Sequence, residues 1–225
     1  MIRMRKVIDK DKPLPDHTVL DYDECCAKLI LEDFFPDIYG QIEVSDSPDL
    51  RSEKNIGIEV TIANDEKMMQ ALNAWIKIPY ADEQHRDEYI RIMEKCGVPF
   101  EGGIQSWPSI KVSFDLVRSA IEKKQIKLNK GNYSSEQRLH LFVLTDTWFC
   151  DEVINSAKQY LFADQKNQIG FERIYVFSMG IYLHVFDLTS ETHYVIKIDN
   201  SEQTIRNIKA REMVENSFSM PLIRL

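Results

Sequence analysis

A chain of 225 residues is long enough to bury one full core, and its net charge of −8 argues against indiscriminate binding to nucleic acid, because phosphate contacts need cations. No apolar run reaches the length of a membrane span, so no membrane contact is expected. Cys25, Cys26, Cys96 and Cys150 lack C-x-x-C spacing and read as thiols, which argues against a structural zinc and fits a reducing, cytoplasmic setting.

Residues 1–6 are basic but lead into Asp9-Lys10-Asp11-Lys12-Pro13 rather than an apolar stretch, so no secretory leader is expected. Pro13 and Pro15 break an extended lead-in. A helix is then predicted from Asp21 to its stop at Pro36, with a capping-box pattern at its start and Tyr22, Cys25, Cys26, Leu29, Ile30 and Phe34 at helical spacing. Within it, Glu24 reads as a reciprocal cap that pairs with Lys28, four residues on.

Residues 41–50 and 56–62 are rich in β-branched side chains and flank a polar stretch, residues 50–55. They predict a hairpin that brings Asp49 beside Glu59. Two carboxylates converging at a sheet edge suit a hard cation such as Mg²⁺, which takes a few anionic oxygens plus waters and substrate phosphate. The strand period of two puts Thr61 on the same face as Glu59.

Met68, Met69, Leu72, Trp75 and Ile76 give a helix over 66–77, stopped by Pro79, and a second helix over 82–96 ends at Gly97. Residues 64–108 therefore read as a helical insertion in a single domain spanning 1–225, a place for target choice, a dimer contact or a lid. Ile110, Phe114, Val117, Ile121, Lys124 and Leu128 then follow at spacings of four and three, so Lys124 interrupts an otherwise apolar face. Its ammonium either projects toward the hairpin carboxylates or snorkels to solvent. Lys123, Lys127, Lys130 and Tyr133 continue a basic strip suited to phosphate, while Lys111 and Lys67 are weaker sources of the same charge.

Residues 139–144 form a continuous apolar run, the mark of a strand buried on both faces, with His140 as its odd member. Asp146 at its end is either a substrate-facing group or the cap of a helix over 151–162. Strands at 173–177, 181–186 and 193–198 make a meander in which His184 and His193 read as structural. A last helix over 201–215 is predicted to start on a Ser201 cap and carries Ile205, Ile208 and Met213. An apolar end at 220–225 is free to dock on the core or a partner.

Pro48-Asp49 and Glu59-Val60-Thr61 resemble the paired motifs of the PD-(D/E)XK nuclease superfamily, with threonine where the family carries lysine. The resemblance covers the hairpin and the order of elements after it. It implies an α/β, restriction-endonuclease-like fold, a mixed β-sheet flanked by helices, and hydrolysis of DNA phosphodiester bonds with Mg²⁺ or Mn²⁺. In its terms Asp49 and Glu59 hold the metal, Glu24 on the first helix supports it, and Lys124 stands in for the displaced lysine. Lys123, Lys127, Lys130 and Tyr133 face nucleic acid, and a homodimer is compatible with the insertion. Two other readings stand beside it: a catalytically inactive nuclease fold that binds nucleic acid or protein, and an oligomeric interaction protein. Dinucleotide-binding, Walker, nucleophile-elbow and zincin motifs are all absent from the sequence.

Overall fold

The computed structural model describes residues 12–15, 18–107, 112–130, 138–164 and 169–217. Tyr133, Lys111, Ile110 and the two chain ends, 1–6 and 220–225, lie outside those residues. Seven strands form one mixed sheet in chain order. β1 (Ile42–Val44), β2 (Leu50–Ser52) and β3 (Ile56–Ile62) form an antiparallel meander, and β4 (Arg138–Thr145) joins β3 in parallel. β5 (Arg173–Ser178) continues in parallel, and β6 (Tyr182–Asp187) and β7 (Thr192–Lys197) close the sheet as antiparallel strands. The α/β class, with a mixed sheet flanked by helices, is as expected from the sequence.

Alternation along the strands divides the core between the two faces of the sheet. Leu139, Leu141 and Val143 of β4 meet α5 (Asp115–Asn129) and α6 (Asp151–Lys158), whose Val117, Ile121, Val153 and Ala157 are buried. Phe142 and Ile58 face the other way, onto Ala27, Ile30 and Leu31 of α1 (Tyr22–Phe34) and Tyr39 of α2 (Pro36–Tyr39). α7 (Asn200–Ser217) lies outside α1, joined to it by Cys25, Cys26, Ala210 and Val214. Both cysteines are buried free thiols, as their helical setting implied.

The predicted hairpin is a correction in detail. Its first segment splits, because Ser45 N–H bonds the Asp49 carbonyl at 2.9 Å and closes a turn through Pro48. Leu50, fully buried, then begins a strand where a polar turn was expected. Ser52 also turns inward, its hydroxyl donating to the Tyr39 carbonyl at 2.7 Å, so its polarity carries no sign of a loop. The turn itself is confined to residues 53–55, where Asn55 takes a positive φ of 58° that its short polar side chain tolerates.

The insertion is helical as expected: α3 (Glu66–Lys77) and α4 (Glu83–Lys95) start on Asp65 and Asp82, whose carboxylates cap the Met68 and His85 N–H groups. They pack on each other around Ala71, Ala74, Ile78, Met93, Cys96 and Val98. Three other expectations fail. Lys28 pairs with Glu32 at 2.5 Å rather than with Glu24. Asp146 does not cap α6; it accepts from the Asn64 amide at 2.9 Å, and its own N–H bonds Asn64 Oδ1 at 2.7 Å. The start of α7 is capped by Asp199, not Ser201, and the helix buries Gln203, Arg206, Ala210, Arg211 and Val214 while Ile205 is 54% exposed.

Candidate active site

Asp49 and Glu59 reach one another through strand register. Leu50 pairs with Ile58 across β2 and β3, so one step further sets Asp49 opposite Glu59. The Val60 N–H donates to Asp49 Oδ2 at 2.7 Å and fixes that carboxylate against the strand that carries Glu59. Glu59 lies on the α5 face of β3, since it pairs with Leu141, and only 1% of its surface is exposed. Thr61 shares the face two residues on.

α5 supplies the cations. Val117 and Ile121 anchor its buried side, and Lys124 falls on the same stripe one turn later. Its ammonium donates to Asp49 Oδ2 at 2.9 Å and to Glu59 Oε2 at 2.6 Å, with 17% of the side chain exposed. The side chain therefore turns inward, and the snorkelling alternative does not hold. A carboxylate buried as deeply as Glu59 needs such partners, because an uncompensated buried charge costs several kcal/mol.

Lys127, three residues further along the stripe, adds a second ammonium at 3.1 Å from Glu59 Oε2. The basic strip predicts a phosphate contact for Lys127, and in the structure its ammonium lies against Glu59. Its spacing from Lys124 was the signal, since residues three apart share a helix face. Lys123 and Lys130 are exposed on the same helix and do not join this cluster.

Glu24 approaches from the N-terminal turn of α1. Burial first, and the neighbouring Asp49 and Asp21 carboxylates next, push it up to about 7, against a smaller opposing pull from Lys124. Among the described residues its carboxylate takes no hydrogen bond, and neither does Asp49 Oδ1. Also among the described residues, no three His, Cys, Asp or Glu side chains are disposed to hold a metal ion together, so Glu24 stands near Asp49 without completing a ligand set.

The donor chemistry still fits Mg²⁺ or Mn²⁺. A shared ammonium brings two carboxylates close together, one of them with an uncommitted oxygen. Mg²⁺ is commonly bound through one or two carboxylates, with water and phosphate filling its other positions.

Of the remaining sequence candidates, His140 is buried on β4 among Tyr39 and Tyr175, away from the α5 face. His184 and His193 stack 5.5 Å apart, and burial holds both down at about 4. Among the described residues no helix is long and apolar enough to cross a membrane. A scan against protein-family models, a search of curated proteins and a search of solved structures each return no match.

Proposed function

We propose that the chain is a divalent-cation-dependent phosphodiesterase of the PD-(D/E)XK type acting on DNA. The observation that carries the reading is one ammonium, that of Lys124, bridging Asp49 and Glu59 from a neighbouring helix. The element order supports it too: a helix, an antiparallel meander bearing both acids, a helix bearing the lysine, then a strand parallel to the last of the meander. In this reading Asp49 and Glu59 hold Mg²⁺ or Mn²⁺, which supplies Lewis-acid polarisation of the scissile phosphate and a bound water of lowered pKa.

The chain's own groups do the rest. Lys124 gives positive charge where the phosphorane-like transition state gathers negative charge, the role left open by Thr61. Lys127 offsets the charge of the buried Glu59 carboxylate. Lys123 and Lys130, exposed on the same helix, meet flanking phosphates, a contribution that weakens steeply with salt.

A second reading rests on a specific feature. The two lysines that contact Glu59 already balance the site's charge, as they would in an inactive binding module. Plasmid nicking with Mg²⁺ or Mn²⁺ separates the two. Cleavage that needs metal and drops at least about 100-fold in Asp49→Asn and Lys124→Met, with far-ultraviolet dichroism unchanged, supports the phosphodiesterase. Equal cleavage by wild type and Glu59→Gln identifies a contaminant and ends the enzymatic reading. DNA retention without cleavage favours the module.

A further inference from the structure

A second concave region lies away from the two acids. The C-terminal end of α3, the turn after it, one side of α7 and the segment 12–15 enclose a cleft of about 1020 Å³. Its lining departs from the rest of the chain. Lys12, Lys77 and Arg211 contribute to the wall, and among the described residues no Asp or Glu does, in a protein of net charge −8. Arg211 is committed to Glu215 at 2.8 Å and to the Pro13 carbonyl at 3.3 Å, which fixes the wall. Among the described residues Lys12 and Lys77 make no ion pair.

Aromatic rings line the same cleft. Tyr80 is 47% exposed, and Trp75 is half-buried, leaning on Phe100 at 6.2 Å between ring centroids. An aromatic surface of this kind, in a cleft wall whose charged side chains are all cations, suits a ligand that alternates flat rings with negative charge. Stacking a base on an aromatic side chain is worth about 1–3 kcal/mol and tolerates any sequence, while the lysines track the backbone. The volume sits at the top of the range for small-molecule pockets, about 300–1,000 Å³, which favours a chain segment over a lone nucleotide.

We infer that this cleft binds a single-stranded stretch of nucleic acid, with phosphates on Lys12 and Lys77 and a base against Tyr80 or Trp75. The inference deepens the phosphodiesterase reading, on which it rests for the bound strand being substrate; binding itself is measured without cleavage. The full chain is titrated in EDTA against a fluorescein-labelled oligothymidylate of about 12 nucleotides, followed by anisotropy. Wild type binds in a salt-sensitive manner, and Lys77→Glu combined with Tyr80→Ala weakens binding at least about 10-fold. Lys12→Glu, in a non-helical segment, weakens it in the same direction and guards against a folding defect in the double variant. Absence of binding by wild type, or unchanged binding in both variants, overturns the inference. Equal competition by a polyglutamate peptide also overturns it, because the cleft would then read charge alone. Retained oligonucleotide binding in a chain that never nicks plasmid removes the phosphodiesterase reading and leaves the cleft standing.

Discussion

His140 shows how a polar side chain on a central strand is satisfied on one edge and exposed to cost on the other. Tyr39 donates to the Tyr175 hydroxyl at 2.7 Å, so at its own oxygen it accepts from His140 Nδ1, 2.5 Å away. That arrangement leaves Nε2 as the bare nitrogen, buried and, among the described residues, without a hydrogen-bond partner, 3.9 Å from the Glu172 carboxylate. Burial first, then Arg173 and Arg138, hold His140 down at about 3. The folded chain thus binds fewer protons than the unfolded chain once pH falls below the ordinary histidine value near 6.5. Stability from this group is complete above that value and is lost as pH drops toward 3, by up to about 1.4 kcal/mol per pH unit. His140→Gln removes the titration while keeping a polar group beside Tyr39. Thermal melts from pH 7 to pH 4.5 should show a shallower acid decline in the variant; parallel curves would place the loss elsewhere. At this scale the acids and Lys124 were legible, because period two and helical spacing act locally. The role of His140 was not, since it depends on Tyr39 and Tyr175, 101 positions and 35 positions away in the chain.

At the scale of elements, the strand β4 and the helices of the insertion could be read directly from the sequence, β4 from a nearly continuous apolar run and the helices from helical spacing with Asp caps and a Pro or Gly stop. α7 could not. Its isoleucines suggested one buried face, yet it docks through another, built on small residues and paired arginines. Arg206 reaches Asp33 of α1 at 2.7 Å and lies over the Phe34 ring at 4.9 Å, so its stem buries apolar surface while its charge is answered. Hydrophobic periodicity counts such an arginine as surface and misplaces the helix by nearly half a turn. The same blindness affected Ser52, whose inward hydroxyl made β2 resemble a turn. A pair of substitutions tests the observed face. Arg206→Ala should cost about 1.5 kcal/mol in urea unfolding, discounted because Asp33 is half exposed, whereas Ile205→Ala should stay within about 0.5 kcal/mol. The reverse ranking would mean that α7 packs as its isoleucines suggest.

Across the whole molecule, stability is unevenly shared, and the division follows from what each part buries. The sheet carries two extensive apolar faces with large side chains such as Phe142, Tyr175, Ile121 and Leu141 fully enclosed. Between α3 and α4 the fully or nearly enclosed residues are small or few: Ala71, Ala74, Ile78, Met93, Cys96 and Val98. At about 25 cal/mol per Å², alanines contribute little apolar area, so the insertion has less to lose on opening than the sheet does. Local opening free energies in a protein range from near zero to the global value, and small clusters fall toward the low end. Native-state hydrogen exchange should therefore find the α3 and α4 amides exchanging through an opening at least about 2 kcal/mol cheaper than that of β4 and β5. Coincident exchange in low denaturant would show one cooperative unit. Because Trp75, Lys77 and Tyr80 belong to this less stable part, a strand bound in the cleft would slow exchange in α3 while leaving β4 unchanged. Slowing at β4 alone would locate binding on the sheet and α5.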